Sequence, residues 1–150
     1  MVRGHQFNKV EMVHYAHPDH SEESFTELCN KAENLVQKLG LHYQLSRLAA
    51  DDCAFSMSKT YDIEVWIPSM NIYKEVSSAS HAYEYQARRG NIKFRDSKKN
   101  LKYVHTLNAS GLATSRLIPA IVEQFQQEDG SVRIPEVLQS DMGTDVIRPY

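Results

Sequence analysis

A chain of 150 residues is long enough for one domain that buries roughly 70% of its unfolded surface. With 41% hydrophobic and 24% charged residues, it has the composition of a folded globular chain and not of a disordered one. The net charge of -2, from 17 basic and 19 acidic residues, excludes a global attraction to nucleic acid, so any such contact needs a local patch.

No apolar run reaches the length of a membrane span, and the opening "MVRGHQF" lacks the apolar core of a signal peptide, which points to a cytoplasmic chain. Cys29 and Cys53 have no CxxC spacing and read as reduced core thiols.

Residues 5–15 alternate as a strand, with Phe7, Lys9, Glu11, Val13 and Tyr15 on one face. "AHPDHS" turns the chain, and Ser21 is placed to cap a helix whose apolar stripe runs from Phe25 to Leu39 and stops at Gly40. A strand is expected at 41–49 and another at 60–68, where Ile63, Val65 and Ile67 oppose Asp62, Glu64 and Trp66. "NIYKEVSSAS" (71–80) reads as a further strand, and "SHAYEYQARRG" as a short helix ending at Gly90. "NIKFR" and "LKYVHTL" form two strands joined by the basic loop "DSKKN". A loop-like run of small residues from Asn108 to Ser115 follows. It leads through Arg116 into a helix with one apolar face of Leu117, Ile118, Ile121, Val122 and Phe125. "SVRIPEVL" is a last extended piece. Strands in succession with two substantial helices predict an α+β fold, an antiparallel β-sheet flanked by helices.

Polar chemistry concentrates on the strands. The Phe7–Glu11 face is either a solvated ion-pair surface or a ligand surface. Asp62 and Glu64 are poor strand residues, so they mark solvent exposure or a lined cavity. In "KEVSSAS", Glu75 with Ser77 and Ser78 offers hard oxygen donors for a cation such as Mg²⁺. His14, His17 and His20 are spaced by three but lack the cysteines of a structural zinc site. The sequence holds no GxxxxGK[ST] loop, GxGxxG run or nucleophile elbow. Arg88–Arg89 and "KFRDSKKNLK" are surface charge that could touch an RNA backbone.

Six segments in register resemble the catalytic core of seryl-tRNA synthetases, a class II aminoacyl-tRNA synthetase family. "RGHQFNKVE" (3–11) is similar to the second half of motif 2, and "TYDIEVW" (60–66) to the central strand. "EVSSAS" (75–80) and "QARR" (86–89) come next. "TLNASGLATSR" (106–116) is similar to motif 3, continued by its helix to 125, and "QQEDGSVRIPEVL" (126–138) to the C-terminal signature. The resemblance implies a single partial catalytic domain over 1–150. The tRNA-binding arm, the motif 1 homodimer interface and the first half of motif 2, with its Arg-x-Glu pair, all lie outside it.

The resemblance also implies roles. Phe7 stacks on adenine, Gly4 contacts ATP through its backbone, and Glu11 binds the serine ammonium group. Glu75 and Ser78 hold Mg²⁺ on the ATP phosphates, with Val76 and Ser77 lining that strand. Asn108 and Ser110 form the serine pocket, and Arg116 clamps the γ-phosphate. The implied activity is that of a serine–tRNA ligase, with L-serine, ATP and tRNA(Ser) as substrates, carried by Arg116 and Glu75 at the reacting phosphates. The alternatives are a paralogue that loads an amino acid onto a carrier protein, and a nucleotide-binding remnant without catalysis. Gly4 stands where the family usually has valine, and Ala79 where cysteine is common. Pro119 is expected to bend or restart the helix beside Arg116.

Overall fold

Alternation of buried and polar residues builds one antiparallel sheet, seen in a computed structural model that describes residues 3–149. The expected span of 1–150 also includes Met1, Val2 and Tyr150, which lie outside the described residues. The sheet has five strands in the order β1 (Lys9–Ala16), β7 (His105–Ala113), β4 (Ile72–His81), β3 (Lys59–Ile67) and β2 (Tyr43–Arg47). All four pairings are antiparallel, which agrees with the sequence reading.

Both long helices pack on the same face. Phe25, Leu28, Ala32 and Val36 of α1 (Ser21–Lys38) and Ala120 and Phe125 of α3 (Thr114–Phe125) are buried with Ile63, Val65, Ile67, Ala79, Leu107 and Ala109. Residues directly opposite across strands share a face, so the other face is set by the same register. It carries Val13, Asn108, Ser80 and Thr60 in one row across four strands. Glu11 opposes Ser110, Ser78 opposes Asp62, and Glu75 opposes Glu64 on that same polar side. α2 (Tyr85–Gly90) caps only the end near Thr106, whose hydroxyl donates to Gln86 at 2.8 Å. One packed and one open face is the usual economy of an antiparallel sheet.

Two irregularities shape the open face. On β4 the register passes from Ile63↔Ser77 to Glu64↔Glu75, so Val76 is an extra residue. On β7 it passes from Glu11↔Ser110 to Lys9↔Ala113, and Leu112 there has φ 82°. Such bulges re-aim side chains at the edge of a site.

The remaining elements form smaller units. β5 (Lys93–Arg95) and β6 (Leu101–Tyr103) make a separate hairpin. β8 (Val132–Arg133) pairs with β9 (Val146–Ile147) around α4 (Glu136–Met142).

Five expectations are corrected. The run expected as loop-like over 108–115 is not a loop: 108–113 belong to the central strand β7, whose small residues let β1 and β4 close in on either side, and Thr114 and Ser115 open α3. Ser21 is the first residue of α1 rather than its cap; its hydroxyl donates to Pro18 O and sits 2.7 Å from His105 Nδ1. The buried stripe of α3 takes Ala120 in place of Ile118 and Val122, which are 59% and 41% exposed because 100° per residue turns them off the sheet. "PEVL" starts a helix, with Pro135 before its first turn, Glu136 facing the helix dipole and Gly143 at φ 66° ending it. Finally, α3 does not restart at Pro119 but continues through it as one helix. At the sixth position of the helix the proline removes one hydrogen bond, to the Ser115 carbonyl, and the apolar face beyond it holds the helix together.

The stop at Gly40 gives a test of the helix–sheet frame. Gly40 has φ 68°, and its N–H donates to Gln37 O at 2.9 Å. A Cβ there would meet only Phe125 Cζ, at an ordinary 3.6 Å, so the cost of a side chain is conformational. Gly40→Ala should lower stability by about 1 kcal/mol in urea titration, with the denaturant slope unchanged.

Candidate active site

The carbonyl of Glu75 and the guanidinium of Arg116 bring β4 and α3 together at the open edge of the sheet. Arg116 Nη1 donates to Glu75 O at 2.8 Å and reaches Glu75 Oε2 at 3.3 Å. Arg116 is aimed there because α3 is anchored at both ends. At its start, Asn8 N donates to Thr114 Oγ1 at 3.1 Å and Thr114 N donates back to Asn8 O at 3.0 Å. Near its end, Gln124 Nε2 donates to Trp66 O at 2.8 Å, and Glu123 accepts from the Ser69 amide and hydroxyl.

The Asn8–Thr114 clasp also places the segment before β1. Arg3, Gly4, Phe7 and Lys9 thereby face Glu75, Val76, Ser110, Ala113, Ser115 and Arg116 across a cleft of about 370 Å³. Phe7 lines the cleft and is 45% exposed, an aromatic surface available to a ligand. Within the cleft wall, Ser110 Oγ donates to Glu11 Oε2 at 3.3 Å, and Lys9 Nζ lies 3.1 Å from the same oxygen.

Of the residues singled out in the sequence, Gly4, Phe7, Glu75, Val76, Ser110 and Arg116 line this cleft. Glu11 adjoins it through Ser110 and Lys9. Asn108 and Ser78 lie half-buried on the same sheet face. Ser77 does not face the cleft: it is 1% exposed, and its hydroxyl donates to Ser110 O at 2.7 Å. Its side chain braces β4 against β7 beneath the pocket.

Lys9, Arg3 and Ser115 line the cleft without having been singled out as ligand contacts. Lys9 had a signal in the alternating face it shares with Phe7 and Glu11. Asp62, marked in the sequence as an acid facing either solvent or a cavity, is the more consequential residue. Its Oδ1 is buried with no hydrogen-bond partner among the described residues. Burial pushes its carboxyl up to about 6, Glu75 and Glu64 add to the rise, and Arg116 opposes it. Asp62 and Glu64 therefore cluster with Glu75 on the open face of the sheet, although neither lines the cleft itself. Glu64 Oε2 accepts from Gln44 Nε2 at 2.7 Å, whereas the unpartnered oxygen of Asp62 is buried. That buried oxygen lies on the sheet face that also carries Ser78 and Glu75.

An open antiparallel sheet with a polar floor, an aromatic wall and an arginine at the start of the following helix defines a class II aminoacyl-tRNA synthetase core. The family model for the tRNA synthetase class II core domain (G, H, P, S and T) matches residues 1–125, and the chain belongs to that family.

Serine enzymes of this family are among the proteins this chain is similar to. It is 64% identical over 146 residues to serine–tRNA ligase 2 of Clostridium acetobutylicum, covering 97% of this chain and 34% of that protein. It is 54% identical over 147 residues to the serine–tRNA ligase of Kosmotoga olearia, covering 98% of this chain and 35% of that one. Seryl-tRNA synthetase from Pyrococcus horikoshii, solved in complex with ATP, superposes with a TM-score of 0.94 at 44% identity, over 99% of this chain and 33% of that one. The cytoplasmic serine–tRNA ligase of Naegleria fowleri, in complex with AMP, gives 0.89 at 35% identity, over 98% and 35%. The chain thus spans about a third of the length of the relatives it matches. Among the described residues no helix is long and apolar enough to cross a membrane.

Proposed function

We propose that this chain carries the seryl-adenylate site of a serine–tRNA ligase. The observation that supports this most is the convergence of Arg116–Glu75 and Ser110–Glu11 on one cleft behind the Phe7 ring. In this reading the adenine of ATP stacks on Phe7 beside the Gly4 backbone, and Arg116 takes the γ-phosphate. The serine ammonium meets Glu11, and its hydroxyl is held in the pocket of Asn108 and Ser110. The serine carboxylate then attacks the α-phosphorus, forming a carboxyl–phosphate bond as the bond to pyrophosphate breaks. A terminal ribose hydroxyl of tRNA(Ser) afterwards takes the seryl group and releases AMP. Positioning and charge neutralisation suffice for both steps.

The donors Glu75 and Ser78, with the unpartnered oxygen of Asp62 beside them, fit a Mg²⁺ ion. When bound, the ion supplies positive charge to the polyphosphate. Val76 supports the strand that carries these donors, and Ser77 fixes it to β7. The free thiols of Cys29 and Cys53 suit a reducing compartment, and the chain works in the cytoplasm.

Calorimetric binding of non-hydrolysable sulfamoyl analogues tests the reading. The seryl analogue should bind at least about 100-fold more tightly than the alanyl one, because a site built around a hydroxyl rejects ligands lacking it. Equal binding of the two sinks the proposal. Serine-dependent ATP–pyrophosphate exchange then separates a ligase from a non-catalytic remnant, and charging of tRNA against a carrier protein identifies the acceptor.

A further inference from the structure

The charge of this chain is distributed very unevenly. Between Arg88 and Lys102 there are seven lysines and arginines and one acid, a net of +6; the rest of the chain carries ten basic and eighteen acidic residues, a net of -8. All seven cations are exposed. They fall on α2 and on the β5–β6 hairpin, two elements that the adenylate cleft does not use.

The fold joins them into one surface. The ring of Tyr103 on β6 lies under both the Arg88 guanidinium, at 5.2 Å, and Lys93 Nζ, at 4.8 Å. One aromatic platform therefore ties the helix cations to the hairpin cations. The single acid of the segment, Asp96, is committed to the turn. It accepts the Lys98 amide at 2.9 Å and the Asn100 amide at 2.8 Å, and pairs with Lys102 at 3.3 Å. Its charge thus shapes the hairpin tip more than it neutralises it. Lys98 and Lys99 stand at that tip; Glu84, paired with Arg88, and Asp19, beside the loop, are the bordering acids.

The position bears on the partner. The hairpin leads directly into β7 at His105, whereas Arg116 follows the other end of that strand at Ala113. Nine strand residues separate the two by about 26 Å. A polyanion on the hairpin leaves the cleft open, and one long enough reaches both. We propose that the surface formed by α2 and the β5–β6 hairpin binds the phosphodiester backbone of the acceptor RNA, holding its body while its terminus enters the cleft. The choice of RNA over an acidic protein rests on the ligase reading above.

The test is fluorescence anisotropy of the 150-residue chain with a labelled tRNA(Ser) transcript across a KCl series. The variant Lys93→Gln/Lys98→Gln/Lys99→Gln should bind at least about 10-fold more weakly at low salt. Its slope of log affinity against log salt should be shallower by about 2–3, one step for each phosphate no longer neutralised. Lys31→Gln/Lys38→Gln, which removes two exposed lysines of α1, should leave both quantities unchanged. Any of three results overturns the proposal: no RNA binding by the parent, an unaltered slope in the triple variant, or competition by polyglutamate as effective as that by RNA. Binding of the seryl-adenylate analogue is measured on the same variants. A parent that does not bind the analogue overturns the ligase reading, whereas a triple variant that still binds it shows that the weakened RNA affinity arises locally at the hairpin.

Discussion

Arg116→Ala should weaken ATP binding by roughly 30- to 150-fold, about 2–3 kcal/mol, while the chain stays folded. The figure sits at the low end for truncating one partner of a hydrogen-bonded charge pair, because the Arg116 side chain keeps 27% of its exposure. Two losses contribute. The triphosphate loses its clamp, and the Glu75 carbonyl and carboxylate lose the donor that holds them at 2.8 and 3.3 Å. Arg116→Lys restores the charge but not the planar fork, so it should recover only part of the affinity. Calorimetric titration with ATP checks both. Equal ATP affinity in Arg116→Ala and the parent would remove Arg116 from the binding machinery.

The elements legible in the sequence are those whose period is unbroken. The stripe of α1 and the alternation of β3 each face one partner along their whole length, so pattern and packing agree. The run from Asn108 misled because strand propensity is low in Asn, Ala, Ser and Gly. Its strand exists because β1 and β4 supply the hydrogen bonds from either side. "PEVL" misled for a different reason: four residues carry too little period to separate a strand from a first helical turn, and only the flanking Pro135 and Gly143 carried the signal.

The site was less legible than the fold because it lies where the alternation breaks. In an unbroken strand, Glu75 and Ser77 share one face and Ser78 takes the other. The extra residue at Val76 reverses this: Glu75 joins Ser78 and Asp62 on the polar side, and Ser77 turns inward to brace Ser110 O. The bulge on β7 acts in the same way between Ser110 and Ala113, just before the turn into Arg116. A strictly periodic reading places the oxygen donors apart; the composition of "KEVSSAS" grouped Glu75 with both Ser77 and Ser78, and the resemblance to a known family narrowed the set to Glu75 and Ser78. Asp62 was marked in the sequence as an acid on a strand, without a choice between solvent and cavity. That choice depends on the register of neighbouring strands, which buries one of its oxygens without a partner among the described residues.

In the proposed reading, charge separates the amino-acid half of the cleft from the nucleotide half. Glu11→Gln should cost about 100-fold in affinity for the seryl-adenylate analogue, while ATP binding stays within about twofold of the parent. The substitution keeps the shape and the hydrogen bond with Ser110 but removes the charge proposed to meet the serine ammonium. It also leaves Lys9, now 3.1 Å from the Glu11 carboxylate, without its counter-charge, and that cation then repels the ammonium. Repulsion between groups this exposed is screened by salt, so the deficit should shrink as ionic strength rises. Lys9→Gln on top of Glu11→Gln should recover part of the affinity, which a purely structural role for Glu11 does not predict. Parallel losses for ATP and the analogue would mean that Glu11 only holds β1 to β7. A selective loss, partly reversed by removing Lys9, places the ammonium of the amino acid against β1 and the phosphates against α3.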